Sequence, residues 1–113
     1  MSNHGARQLD TVPSTIEVLP LIVNAVSGKV PVLFDGGIRR GSDIMKALAY
    51  GAKAVMLGRP VLWGLSANGE EGVKEILTIL HDELKSCVAL AGCTKVSDIT
   101  RDLIYDRRRF ARL

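Results

Sequence analysis

Two short apolar runs, each broken at once by glycine, constrain this chain more than any other feature. Val30-Pro31-Val32-Leu33-Phe34 is continuous and rich in β-branched residues, and Asp35-Gly36-Gly37 ends it. Ala52 to Leu57 is the second such run, ended by Gly58-Arg59-Pro60. Runs of this length and composition predict strands buried on both faces. Around them the apolar residues switch to helical spacing. Ser14-Thr15-Ile16-Glu17 has the pattern of a capping box, and Ile16, Leu19, Val23 and Val26 recur behind it until Gly28 closes the segment. Pro20 inside this helix removes a hydrogen bond and predicts a bend. A second helix is predicted from Ser42-Asp43 to Gly51, with Ile44, Leu48 and several alanines on one face. A long helix from about Glu70 to Ala91 carries Val73, Ile76, Leu77, Leu80, Leu84, Cys87 and Val88 as its stripe, and Gly92 caps it. A short helix near Val96 to Asp98 and an arginine-rich tail finish the chain.

Helices alternating with buried strands imply an α/β fold with parallel strands. Its size is the difficulty. Strands buried on both faces need neighbours, and only two are clear in these 113 residues, whereas a closed eight-stranded α/β barrel takes about 250 residues. Either a partner supplies strands or the chain is part of a larger domain, and the second is the simpler expectation.

Composition removes several classes. With 47% apolar and 24% charged residues the chain is not of disordered composition. No apolar run approaches the roughly 20 residues of a membrane span, so no membrane role is expected. The polar Met1-Ser2-Asn3-His4-Gly5 start does not read as a cleavable signal. The excess of basic charge lies in the tail, residues 101–113, where Arg101, Arg107, Arg108, Arg109 and Arg112 face only Asp102 and Asp106. With five aromatics in the whole chain there is no set of stacking platforms for nucleic acid, so the tail reads as a solvated terminus. Cys87 and Cys93 have no neighbouring His or Cys at metal-ligand spacing and read as reduced thiols of an intracellular protein, with no metal. His81, on the polar side of the long helix, reads as a surface residue.

The chemistry concentrates in three places. Asp35-Gly36-Gly37-Ile38-Arg39 follows the first strand and Gly58-Arg59 follows the second. Glycines directly after a buried strand let backbone N–H groups close around a small anion, since no Cβ intervenes. The helix starting at Ser42 is expected to add its positive end, and Arg39 and Arg59 charge-assisted bonds. Glycines that merely turn the chain are the plain alternative, but two such loops on consecutive strands, each with an arginine, favour a phosphate site. In α/β barrels such sites are commonly built from the loops after strands 7 and 8. The third cluster is Ser2-Asn3-His4-Gly5-Ala6-Arg7-Gln8-Leu9-Asp10. There an arginine three residues after a histidine suits a carboxylate substrate, the guanidinium gripping it while the imidazole moves a proton. On these two residues alone, ordinary surface placement is the simpler reading.

Taken together, the Ser2-to-Asp10 run, Asp35-Gly36-Gly37-Ile38-Arg39-Arg40-Gly41, Gly58-Arg59-Pro60 and Trp63-Gly64 resemble the FMN-dependent 2-hydroxy-acid oxidase and dehydrogenase family over essentially the whole chain. The first motif is the specific one; the Asp-Gly-Gly-Ile stretch is shared with barrels of the inosine monophosphate dehydrogenase kind. The resemblance implies that residues 1–113 are a partial FMN hydroxy-acid dehydrogenase domain. It would be the C-terminal portion of a (β/α)8 TIM barrel, from the end of strand 6 through strands 7 and 8 and the helices that follow. It implies that His4 is the catalytic base and touches the substrate, that Arg7 holds the substrate carboxylate and that Ser2 touches the flavin. Asp35, Gly36, Gly37, Ile38 and Arg39, with Gly58 and Arg59, would form the ribityl and phosphate site.

For an intact parent this implies oxidation of a glycolate- or lactate-like 2-hydroxy acid to the 2-oxo acid, with O2 taking the electrons to give H2O2, in a homo-oligomer. The family's flavin-ring lysine, active-site tyrosines, second substrate arginine and histidine-pairing aspartate belong to earlier strands. The chain alone is therefore expected to give little catalysis. Two alternatives stand beside this: an inactive truncated form that at most associates with full-length subunits, and a phosphate-binding barrel of the inosine monophosphate dehydrogenase kind. The His4–Arg7 motif and the run Gly58 to Gly64 speak against the last. Ala111-Arg112-Leu113 is a variant of the Ser-Lys-Leu peroxisomal signal, so a peroxisomal location is expected, and a cytoplasmic one otherwise.

Overall fold

The computed structural model describes residues 1–105, so Arg107, Arg108, Arg109 and Arg112 and the Ala111-Arg112-Leu113 ending lie outside the described residues. Helices and strands alternate as the periodicity predicts: α1 (Thr15–Val26), β1 (Leu33–Asp35), α2 (Gly41–Ala49), β2 (Ala54–Met56) and α3 (Arg59–Leu90). A short turn at His4–Ala6 precedes them, and 3-10 turns at Val96–Asp98 and Arg101–Leu103 follow.

α1 starts where the sequence places it. The Glu17 carboxylate accepts from both the amide and the hydroxyl of Ser14, at 3.2 and 2.7 Å, which satisfies a donor left over at the helix start. The helix passes through Pro20 without a break. It ends one residue before the expected glycine: Ser27 (φ 50°) and Gly28 (φ 76°) are both left-handed, and the Ser27 amide still donates to the Val23 carbonyl at 3.0 Å.

β1 and β2 pair in parallel, with Leu33 opposite Ala54, Phe34 opposite Val55 and Asp35 opposite Met56. The ladder is shorter than the apolar runs, although the Lys53 amide extends it to the Val32 carbonyl (2.9 Å). Period-2 alternation sends Val32 and Phe34 to one face, where they meet Leu19 of α1, Ala47 of α2 and Ala52; Leu19 and Ala47 are wholly buried. The opposite face is bare. Leu33 is 44% and Met56 51% exposed, which corrects the expectation of strands buried on both sides. Both helices that cover the sheet lie on one side of it, and two strands cannot curl to cover the other. Met1 bonds to the outer edge of β1 in the parallel pattern, its amino group donating to the Leu33 carbonyl (2.7 Å) and its carbonyl accepting from the Asp35 amide (2.9 Å).

α3 departs most from expectation, because it begins at Arg59 and not near Glu70. It is two helical legs, 59–67 and 70–90, reversing at Asn68 (φ −152°, ψ 32°) and Gly69 (φ 56°, ψ −139°). In a straight helix residues 64 and 72 stand about 12 Å apart, whereas here the backbones of Gly64 and Gly72 touch so closely that a Cβ on either would overlap the other's carbonyl. Gly64 and Gly72 are the surface on which the legs cross. The second leg packs on α2, where Gly41 lies against the backbone of Glu83 and Leu84. Met45, Ala49 and Ile99 form a second small core there, flanked by Leu84, Cys87, Val88 and Cys93. Cys87 and Cys93 are both free thiols. Arg101 stacks over the Tyr50 ring at 5.2 Å, so the start of the basic tail is docked on the body of the protein.

Candidate functional site

The N-terminal cluster is built on unusual backbone. His4, Gly5 and Ala6 all have positive φ (53°, 61° and 61°), which costs roughly 1–2 kcal/mol for each residue bearing a Cβ. The surroundings hold that conformation from several directions. The Ser2 hydroxyl accepts from the His4 amide (2.9 Å), the Asn3 side chain from the Gly5 amide (3.1 Å), and the Gly5 carbonyl from the Arg59 guanidinium (3.1 Å). Ser2 in turn donates a short hydrogen bond to the Asp35 carboxylate. The turn that presents His4 is thus tied to the ends of both strands, to Asp35 at one and to Arg59 at the other.

Beyond β1 the chain turns through Gly36 (φ 111°) and Gly37 (φ 79°). Gly36 admits no side chain for a second reason: a Cβ there would stand 2.8 Å from the Thr15 hydroxyl and 3.1 Å from the Asn3 side chain. Thr15, only 6% exposed, donates to the Gly36 carbonyl at 3.4 Å. At Gly37 and Gly58, by contrast, a Cβ would meet nothing within 4 Å, so these backbones border open space.

These pieces surround one cleft of about 510 Å³ at the C-terminal ends of the strands. It is lined by His4 and Arg7, by the loop from Asp35 to Arg39, and by Gly58 and Arg59. Nine of the ten site residues named from the sequence therefore line one space. Ser2 is the tenth; it does not line the cleft and its hydroxyl is engaged by His4 and Asp35. Three guanidiniums and one imidazole face a single carboxylate, Asp35, which makes the cleft suited to an anion.

One expectation is corrected. The start of α2 does not offer its amides to the cleft. The Arg39 and Arg40 amides donate to the Asp43 carboxylate (3.1 and 3.0 Å), and the Gly41 amide to Glu83 (2.8 Å). The Gly41 amide, followed by the Arg40 guanidinium at 2.9 Å, holds the Glu83 carboxyl below the usual carboxylate range. The helix end that borders the cleft is the first turn of α3, with Gly58 at its cap and Pro60 in its first turn. The Gly58 and Arg59 amides have no acceptor among the described residues.

Sequence reading missed several contributors. Leu57 and the first leg of α3 from Pro60 to Trp63 also line the cleft; the leg is hidden because Gly58-Arg59-Pro60 reads as the break after the second strand. Glu83 carries no local signal at all, as it reaches Gly41 from 42 residues away. Among the described residues no group of three or more acidic, histidine or cysteine side chains is placed to hold a metal. No described helix is long and apolar enough to cross a membrane.

Comparison with known proteins places this arrangement. The family model for FMN-dependent dehydrogenases matches residues 1–106. A 2-hydroxyacid oxidase of Dictyostelium discoideum is 55% identical over 113 residues, all of this chain and 29% of that protein. A peroxisomal (S)-2-hydroxyacid oxidase of Arabidopsis thaliana is 55% identical over 102 residues, 90% of this chain and 28% of that protein. Among solved structures, a mandelate oxidase variant with a monooxide FMN adduct superposes with a TM-score of 0.84 at 52% identity, covering 88% of this chain and 32% of that one. The chain spans under a third of the length of these relatives. With a family model matched along nearly its whole length, the chain belongs to the FMN-dependent dehydrogenases, a family of oxidoreductase enzymes.

Proposed function

We propose that this chain is the C-terminal portion of a (β/α)8 barrel, and that in an intact protein it holds the phosphate end of FMN and supplies the base that takes a proton from a 2-hydroxy acid as the flavin oxidises it. In this reading β1 and β2 are strands 7 and 8, and Met1, bonded to β1 in the parallel pattern, ends strand 6. The bare face of the sheet is the interior that the remaining strands would close. The observation that carries the reading is the convergence of His4, Arg7, Arg39 and Arg59 on one cleft at the strand ends. Phosphate sites of barrels are found there, at the start of a short extra helix, and the 59–67 leg of α3 stands in that place.

The residues fit the phosphate and ribityl part of FMN. Arg39 and Arg59 have no carboxylate partner among the described residues, so their charge is available to phosphate oxygens. Gly37 and Gly58 leave their backbones open to a ligand, and the Asp35 carboxylate is an acceptor for ribityl hydroxyls. Arg7 grips the substrate carboxylate in a two-pronged contact, and His4 takes a proton from the substrate. Ser2 acts from behind, linking the His4 backbone to Asp35, while its expected flavin contact would need the hydroxyl to turn from that carboxylate. When bound, FMN would supply the two-electron acceptor for the substrate, with O2 as the final acceptor giving H2O2. The substrate class and a peroxisomal location follow the relatives' names, and a homo-oligomer remains part of the proposal for the intact protein. The family match favours this reading over a barrel of the inosine monophosphate dehydrogenase kind. The bare sheet face favours little turnover by the chain alone.

Equilibrium dialysis of the 113-residue chain against FMN tests the phosphate assignment. Arg39→Ala should weaken retention by roughly ten-fold or more, the scale of a charged hydrogen bond; unchanged retention removes the role. In the intact enzyme His4→Ala should keep FMN bound yet abolish flavin bleaching by substrate, and normal bleaching would sink the base assignment.

A further inference from the structure

Arg39 and Arg40 are adjacent, and both amides are pinned to the same oxygen of Asp43 at 3.1 and 3.0 Å. Their side chains then part. Arg40 turns to α3 and pairs with Glu83 at 2.9 Å. Arg39 lies over the indole of Trp63, its guanidinium carbon 5.6 Å from the ring centre, and Trp63 lines the same cleft as Arg39. The two partners have opposite consequences. A carboxylate neutralises a guanidinium and engages its donors, here Arg40 Nη1 on Glu83 Oε1. An aromatic face attracts it through the ring quadrupole, fixes its plane, and leaves its in-plane N–H groups and its charge free. Among the described residues Arg39 pairs with no carboxylate.

We infer that Trp63 is a positioning residue that holds the Arg39 guanidinium oriented, with its charge unpaired, for the phosphate of a bound phosphoester, while Glu83 withdraws Arg40 from that task. This rests on the phosphate reading above and adds the residue that sets its strength. Trp63 is 51% exposed, so its large ring is not explained by core packing. It stands in the first turns of α3, after β2, whereas Arg39 is carried by the loop after β1. The contact therefore also bridges the two strand-end loops.

The test compares FMN with riboflavin, which lacks the phosphate, for binding to the 113-residue chain by dialysis. The unsubstituted chain should prefer FMN. Trp63→Leu should cut that preference roughly three-fold to five-fold, the scale of an exposed cation–π contact, with riboflavin binding unmoved, and Trp63→Phe should restore most of it. A preference unchanged in Trp63→Leu overturns the inference and leaves the phosphate site standing. Absence of any FMN preference in the unsubstituted chain fails both. Trp63 is the single tryptophan, so a second reading needs no Trp63 variant: inorganic phosphate should change its emission in the unsubstituted chain and not in Arg39→Gln. Emission that stays flat while the FMN preference holds overturns the inference as well.

Discussion

Gly41 shows how one missing side chain sets the geometry around the site. Its φ is not left-handed, so glycine is required there for room and not for conformation. A Cβ would overlap the backbone of Glu83 and Leu84, which lie close enough for Glu83 to accept the Gly41 amide at 2.8 Å. Gly41→Ala should therefore lower stability by about 1–3 kcal/mol, the usual cost of overpacking, read as a lower urea midpoint at unchanged slope. An unchanged midpoint would mean that α3 gives way freely. At Gly37, where a Cβ meets open space, a substitution strains only the φ of 79°. The two glycines look alike in the sequence and are held by different physics.

At the scale of elements, the loop that carries Arg39 is fixed by carboxylates from two helices, Asp43 of α2 and Glu83 of α3. Because the Glu83 carboxyl is held below its ordinary range, the stability it lends is complete above that range and is lost as pH falls through the lowered value. Asp98 behaves with the same sign, its carboxylate accepting from the Thr94 amide and hydroxyl and the Lys95 amide. Thermal melting followed across acidic pH should fall less steeply in Glu83→Gln than in the unsubstituted chain, without becoming flat, since Asp98 still titrates. Equal slopes would show that Glu83 has no such linkage. The α1 start at Ser14, the α2 span and the Val96–Asp98 turn were all legible, because a cap or a stripe is a property of neighbouring residues. The 59–67 leg was not. Its glycines serve a crossing between legs, and local rules read glycine and proline as chain breakers.

For the whole molecule the decisive feature is the one-sided sheet. Phe34, 2% exposed, is central to the covered face; Met56, 51% exposed, belongs to the bare one. Phe34→Ala should cost about 3–5 kcal/mol, a large share of the stability of any small domain. Met56→Lys should change the unfolding free energy of this chain, read by urea denaturation, by no more than about 0.5 kcal/mol. A large loss in Met56→Lys would mean that something covers that face in solution, such as a second copy of the chain.

The sequence alone determined the order of helices and strands, the two glycine loops at the strand ends and the His4–Arg7 cluster. Periodicity, capping and turn chemistry are set by residues a few positions apart. Nine of the ten candidate site residues then proved to share a cleft, because strand ends in a parallel sheet must gather on one side. Only the tertiary structure decided which sheet face is covered, where α3 folds back, and which of two adjacent arginines keeps its charge free. Those outcomes depend on contacts such as Glu83 with Arg40 and Gly41, 43 and 42 residues apart. No local pattern encodes such a contact, since it exists only once the helices have packed.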